Sequence, residues 1–397
     1  MDRIYLDYAA STPVDPEVFA AMEPYFMKKF GNPGSLHAFG QEAIAAVDRA
    51  REAVAASVGA DFRDVIFTAS ATEANNLALR SAVRWARESG IGRPRIVVSA
   101  IEHESVLETA RDLERDGAEL VVCPVDGHGV LDIDALRGAI DGRTAIVSVM
   151  AANNEIGTIE PAAAIAEMIR GHRAEAKSTL PLFHADAAQA FQFFDCRFGA
   201  DFMTISSHKI YGPKGAAALI VDARTVPVKR LRAAATGGGQ EFGLRSGTEN
   251  VPAIVGFAKA AELTAAKRES ARTRIGDLRD ALRDGIRTVV PGAETNGFAD
   301  WQTDGKDNAL PSIFNVFFPN REAQDLLTAF DLAGLAAASG SACHSRALEP
   351  SYVIEALGHA KERARSSIRF SLGRPTTAGD IEGALRILRE TFSKKVS

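Results

Sequence analysis

Seven short apolar runs, at residues 65–68, 95–99, 120–125, 145–150, 182–185, 202–205 and 217–221, constrain this chain more than any other feature. They are continuously apolar rather than alternating, and amphipathic helical segments fill most of the intervals between them. A strand apolar on both sides needs cover on both faces. The pattern therefore predicts an α/β fold with a mostly parallel seven-stranded sheet between layers of helices. Ahead of the runs, helices are expected over 16–29 and over 41–58, the latter with Ile44, Val47, Val54 and Val58 on one face. Beyond the stretch Gly237-Gly-Gly239 the texture changes: a charged helical segment at 255–289, a polar loop at 296–308, strand-like runs at 313–317 and 367–372, and helices near 322–331 and from 378. These predict a smaller α+β domain. The expected division is a large domain over 16–255 and a small domain built from 1–15 and 256–397.

A chain of 397 residues is long enough for two domains and a large core. Its apolar content of 46% and charged content of 24% belong to an ordinary globular protein. The net charge of -5 gives no reason to expect nucleic acid or an anionic membrane surface as partner. No apolar run is long enough to span a bilayer, and no basic-then-apolar leader opens the chain. Three widely spaced cysteines argue against a disulfide framework. A cytoplasmic protein is the expectation.

The chemistry-bearing residues gather just past the ends of the apolar runs. At 205–213 the chain reads Ile-Ser-Ser-His-Lys-Ile-Tyr-Gly-Pro. A lysine held still and partly desolvated at a strand end loses some of its charged form, falling from about 10.4 towards the range where a free amine attacks a carbonyl. Alone, a Ser-His-Lys of this kind is more often a surface lysine in a Gly/Pro turn. Upstream, Leu182-Phe-His-Ala-Asp186-Ala-Ala-Gln189 puts an acid at the end of the preceding run. An acid and a lysine on neighbouring strand ends suit pyridoxal phosphate, whose pyridine nitrogen needs a carboxylate partner. At Ser70-Ala71-Thr72-Glu73 a helix start offers backbone N–H groups and a hydroxyl to an anion, or else Thr72 simply caps the helix. Ser206 and His208 could add contacts to a phosphate. His103, in Glu102-His-Glu104, could stack on a ring and exchange protons, or only begin a helix. Asn153 and Asn154 end the 145–150 run, where adjacent amides either close a turn or bind a ligand.

The cysteines differ in setting. Cys123 and Cys196 stand among apolar neighbours, as buried inert thiols do. Cys343 stands in Ala338-Ser-Gly-Ser-Ala-Cys-His344-Ser-Arg346, a run of small polar residues that reads as a loop. The nearby His344 and Arg346 are candidates to raise its thiolate fraction; the other reading is a tolerated loop cysteine.

Taken together, Tyr5-Leu-Asp-Tyr, Phe30-Gly-Asn-Pro, Ala71-Thr-Glu, Glu102-His103, Asn153-Asn-Glu-Ile-Gly, His184-Ala-Asp-Ala-Ala-Gln189, Ser207-His-Lys-Ile-Tyr-Gly-Pro-Lys-Gly, Arg245-Ser-Gly-Thr-Glu-Asn, Ser339-Gly-Ser-Ala-Cys343 and Ile368-Arg-Phe-Ser-Leu-Gly resemble the cysteine desulfurases of the class V aminotransferase superfamily, in family order from Tyr5 to about residue 388. The resemblance implies the PLP-dependent transferase fold of type I and a homodimer. It implies that Lys209 carries the cofactor, Asp186 pairs with its ring nitrogen, His103 stacks on the ring, and Asn154 and Gln189 bond the ring hydroxyl. Ala71, Thr72, Ser206 and His208 would hold the phosphate, with Thr248 reaching in from the second subunit. Arg369, with Asn32, would bind the substrate carboxylate. Cys343 would take the sulfur of L-cysteine as a persulfide, release alanine, and pass the sulfur to an iron–sulfur scaffold or a tRNA-thiolation protein. Selenocysteine lyase, or another class V activity, is the alternative. The chain departs from the pattern at His344, Arg346 and Gln240, in extra residues around 174–179, and in ending soon after its last helix, where relatives that dock a cluster scaffold usually continue.

Overall fold

The computed structural model describes residues 3–233, 235–340 and 350–393, apart from the side chain of Lys229. Seven strands form the central sheet in the order Val65–Thr68, Ala217–Val221, Phe202–Ser206, Leu182–Asp186, Thr144–Ser148, Arg95–Ser99, Glu119–Cys123. Ala217–Val221 runs antiparallel to both its neighbours, and every other pairing is parallel. The expected mostly parallel sheet is therefore present, and one strand is reversed because the tight turn after Lys209 sends the chain straight back along Phe202–Ser206. That turn depends on glycine: a Cβ on Gly212 would lie 2.1 Å from the Ser207 Oγ.

Helices cover both faces. Ala71–Glu88 and Glu104–Arg115 pack over one, where Ile66, Ile96, Val98, Leu219 and Phe202 join Leu79, Val83 and Val106 in a core cluster. On the other face Ala162–Ala176 covers Val97, Val147 and Phe183, and Ala38–Val58 with Val251–Val289 joins the cluster of Val65, Phe67, Met203, Ile205 and Ile220. The helix expected over 16–29 is two pieces, Pro16–Met22 and Pro24–Met27, because Pro24 can begin a helical turn but not continue one.

Beyond the long helix Val251–Val289, strands Ser367–Ser371, Ile313–Phe317 and Glu294–Asn296 make an antiparallel sheet, flanked by Ala323–Leu332 and Ala378–Ser393. The amino terminus also lies here, since Ile4–Tyr5 pairs in parallel with Leu335–Ala336 and Asp7 bridges to Ser371.

Candidate active site

Five of the parallel strands end along one edge of the sheet, and the segment after each contributes to a single cavity of about 270 Å³. Ala71 and Thr72 follow Val65–Thr68, His103 follows Arg95–Ser99, Asn154 follows Thr144–Ser148, Asp186 and Gln189 come from Leu182–Asp186, and Ser206, His208 and Lys209 from Phe202–Ser206. Arg369, on the second sheet, closes the cavity with Ala9, Ala10 and Gly340. Ten of the residues singled out in the sequence thus share one space at the carboxyl edge, where ligands of open α/β sheets bind.

Lys209 ends a short 3-10 turn and donates from Nζ to the carbonyls of Ala9 at 2.5 Å and Ala10 at 3.0 Å. The Ala9 carbonyl also accepts from Gln189 Nε2 at 3.0 Å. The segment carrying these carbonyls is fixed to the lysine turn. Thr12 Oγ1 donates to the His208 carbonyl at 3.0 Å and accepts the Tyr211 N–H at 2.8 Å.

Asp186 is buried, and its Oδ1 accepts the Ala188 N–H at 2.9 Å. Its Oδ2 accepts from Asn75 Nδ2 at 2.8 Å, and the same nitrogen donates to Ser105 Oγ at 2.8 Å. Ser105 in turn serves His103, whose Nδ1 lies 2.8 Å from that Oγ and accepts the Ser105 N–H at 3.1 Å. Because a backbone N–H points at Nδ1, the proton of the neutral ring sits on Nε2. Burial pushes His103 below the usual imidazole range, opposed by the charge of Asp186 and reinforced by Lys209, so the neutral ring is favoured. His103 also caps the helix Glu104–Arg115, so it begins a helix while lining the cavity.

The anion end is built differently from the sequence expectation. The helix Ala71–Glu88 is capped by Ser70, whose Oγ accepts the Glu73 N–H at 3.1 Å, and not by Thr72. That leaves the start of the helix, with its outward N–H groups and partial positive charge, beside the Thr72 hydroxyl and the Ser206–His208 pair. Ser206 Oγ and His208 Nδ1 are 3.1 Å apart, and burial with the nearby Lys209 and Lys214 pushes His208 down to about 4.

Arg369 is almost fully buried. Its Nη1 donates to the Asn154 carbonyl at 2.8 Å and its Nη2 pairs with Asp7 Oδ1 at 2.7 Å, while its buried Nε has no hydrogen-bond partner. Asn32 and Thr248 do not line the cavity. Asn32 is exposed, its Oδ1 accepting the Gly34 N–H at 2.9 Å, and Thr248 is exposed in the segment after Leu244. Cys343, His344 and Arg346 lie outside the described residues, although Gly340, three positions before Cys343, is in the cavity wall.

Sequence reasoning missed the carbonyls of Ala9 and Ala10, which carry no side-chain signal, and it missed Asn75 and Ser105. Asn75 is one helical turn from Thr72 and on the buried face, a polar residue where the helix pattern asks for an apolar one, and that mismatch was readable. The donor set suits a flat, phosphate-bearing ring: an anion cradle at one end, a buried carboxylate at the base, an imidazole beside it and an amine between.

The chain matches the aminotransferase class-V family over residues 4–383. It is 42% identical over 384 residues to a mitosomal cysteine desulfurase of Trachipleistophora hominis, covering 96% of this chain and 84% of that one. It is 39% identical over 395 residues to the cysteine desulfurase IscS of Rickettsia typhi, covering 98% and 91%. Among solved structures, a NifS-like protein superposes with a TM-score of 0.87 at 32% identity, over 98% of this chain and 99% of that one.

Proposed function

The chain belongs to the class V aminotransferase family and is a cysteine desulfurase, and from that premise we propose how its own residues remove sulfur from L-cysteine with pyridoxal phosphate. Lys209 would hold the cofactor through its amine, Asp186 would face the ring nitrogen, and Asn154 and Gln189 would serve the ring hydroxyl. The helix start at Ala71 and Thr72, with Ser206 and His208, would take the phosphate. When bound, the cofactor supplies an electron sink next to the substrate's reacting carbons.

The protein's part is positioning and proton handling. Arg369, aimed into the cavity and already anchored to Asp7 and the Asn154 carbonyl, offers its remaining guanidinium edge to the substrate carboxylate. Asn32, exposed on its own chain, is the weaker candidate for that carboxylate. The neutral His103, with its proton on Nε2, can give a proton to the substrate side and take one back. Cys343 is the nucleophile: its sulfur bonds to the substrate sulfur while the substrate's Cβ–S bond breaks. The bond's electron pair stays with carbon, which takes a proton and leaves as the methyl group of alanine, and Cys343 keeps the persulfide. An acceptor protein, an iron–sulfur scaffold or a tRNA-thiolation partner, would then take the sulfur.

The observation that carries this reading is the convergence of Lys209, Asp186 and His103 on one cavity whose wall includes Gly340, at the start of the Cys343 segment. The test is Lys209→Ala. The variant is expected to lose the visible absorbance of lysine-bound cofactor and all alanine release from L-cysteine. Alanine formed at the wild-type rate by this variant would overturn the assignment.

Two further readings go with it. We assign 16–255 to a large cofactor domain and 1–15 with 256–397 to a small domain, supported by the pairing of Ile4–Tyr5 with Leu335–Ala336. We also propose a homodimer. Phe19, Phe26, Met27, Phe30, Leu36 and Phe39 are all more than half exposed within 21 residues, an apolar patch suited to a second copy of this chain. Thr248, exposed and outside its own cavity, would then reach the partner's phosphate site. Among the described residues no helix is long and apolar enough to cross a membrane. Free, buried thiols at Cys123 and Cys196 suit the reducing cytoplasm we propose.

A further inference from the structure

Asp7 stands behind the guanidinium assigned to the substrate carboxylate. Arg369 lines the cavity, whereas Asp7 does not, and an ion pair from Nη2 to Asp7 Oδ1 at 2.7 Å joins them. Arg369 does not depend on this pair for its place. It is almost fully buried, its Nη1 donates to the Asn154 carbonyl at 2.8 Å, and its backbone pairs with Asn315 on one side. On the other side its N–H donates to the Ala338 carbonyl at 2.7 Å.

Asp7 is fixed just as firmly by its own backbone. It bridges to Ser371, with the Leu6 carbonyl accepting the Ser371 N–H at 2.7 Å and the Tyr8 N–H donating to the Ser371 carbonyl at 3.2 Å. The Ala9 N–H adds a bond to Ser371 Oγ at 2.9 Å. Each partner is thus held by other contacts, and what Asp7 contributes beyond placement is a negative charge. The buried Nε of Arg369 has no hydrogen-bond partner, so the guanidinium keeps a donor to spare while its charge is already matched.

We infer that Asp7 is a positioning residue that acts through Arg369: it balances the guanidinium charge and so weakens the hold on the carboxylate of substrate and product. This rests on Arg369 being the group that receives that carboxylate. A lone buried guanidinium would grip a carboxylate with charge-assisted bonds. With Asp7 in place the incoming group meets a pair of zero net charge, with a like charge behind it. At the roughly 4–6 Å between two carboxylates that share one guanidinium, that like charge disfavours binding by about tenfold or more. L-Cysteine and alanine carry the same carboxylate on the same carbon, so a tighter clamp would retain the product as well as the substrate. Such uniform binding lowers KM without raising kcat.

The test compares the holoenzymes of wild type, Asp7→Asn, Asp7→Ala and Arg369→Ala. Titration calorimetry reads the Kd of L-alanine and of ethylamine, which is alanine without its carboxylate, and kinetics reads KM and kcat for L-cysteine. Asp7→Asn keeps an oxygen for Nη2 and loses only the charge. It is expected to bind L-alanine about tenfold more tightly and ethylamine as wild type does, with KM falling and kcat not rising. Asp7→Ala, the second variant, is expected to shift the same way, because burial and the Asn154 carbonyl still hold the guanidinium. Tighter L-alanine binding in neither variant, with Arg369→Ala binding it poorly, would overturn the inference alone. Equal tightening of ethylamine would show that the effect is not on the carboxylate and would also overturn it. Wild-type affinity for L-alanine in Arg369→Ala would instead overturn the reading it rests on.

Discussion

Asn75 links Asp186 and His103, the two groups proposed to face the cofactor ring. One amide nitrogen donates to Asp186 and to Ser105, and Ser105 holds His103. Removing it leaves Asp186 with the Ala188 N–H but without its side-chain donor. A hydrogen bond to a charged group contributes about 1.5 kcal/mol or more, which is roughly tenfold in affinity. Asn75→Ala is therefore expected to bind pyridoxal phosphate about tenfold more weakly, read by titrating the apo protein, and unchanged affinity would contradict the linkage. A second buried group acts on stability alone. Burial pushes the Glu160 carboxyl up to about 8 from an ordinary 4.5, while its Oε2 accepts the Leu131 N–H at 3.0 Å. The folded chain then holds a proton that the unfolded chain releases. Its contribution is complete below the unfolded value of 4.5 and is lost as pH rises through 8. Glu160→Gln, which cannot ionise, is expected to flatten the fall in Tm over that window relative to wild type. An unchanged pH slope would show that Glu160 is not the group responsible.

The segment between the sheet and the long helix is held by one buried ion pair. Arg51 meets Glu241 through two hydrogen bonds, of 2.8 and 2.7 Å, and both side chains are almost wholly enclosed. Glu241 Oε2 also accepts the Phe67 N–H at 2.8 Å, so the pair ties this segment to the strand that precedes Ala71 and Thr72. Glu241 and Phe242 adopt left-handed backbone angles, φ 49° and 58°, which the pair helps to retain. Breaking such a pair strands a buried charge at a cost of about 3–5 kcal/mol. Arg51→Ala should lower the denaturant midpoint accordingly, and a shift within error would show that the pair holds nothing. This element also marks the limit of what the sequence discloses. The strands Thr144–Ser148 and Leu182–Asp186 were legible from the apolar runs at 145–150 and 182–185, because a buried strand must look that way. So were Lys209, Asp186 and His103, since chemistry restricts residue types at strand ends. The Arg51–Glu241 pair joins positions far apart in sequence, and no local pattern announces it. The reversal of Ala217–Val221 was hidden for a related reason: its composition matches its parallel neighbours, and only the Gly212 turn sets its direction. Likewise the Ser70 cap differed from Thr72 by two residues, because either side chain can cap and only the backbone decides.

At the scale of the molecule, the site is assembled from distant parts of the chain: the sheet edge, the amino-terminal carbonyls of Ala9 and Ala10, and Arg369 from the second sheet. The exposed apolar patch at Phe19 to Phe39 predicts that assembly continues in a second copy. Phe26→Glu with Phe30→Glu should move the proposed dimer to monomer in sedimentation and weaken cofactor retention through loss of the Thr248 contact proposed from the second copy. A variant that stays dimeric would place the interface elsewhere. The central claim, that sulfur leaves L-cysteine for Cys343 as alanine is released, is tested most directly by one experiment on the unmodified holoenzyme. A limiting amount of L-cysteine is added, alanine is counted, and the persulfide is trapped by alkylation and located by peptide mass. The account predicts equal amounts of alanine and persulfide, with the extra sulfur on Cys343 and none on the buried Cys123 or Cys196. Alanine released with no sulfur on Cys343, or with sulfur on either buried thiol, would contradict it.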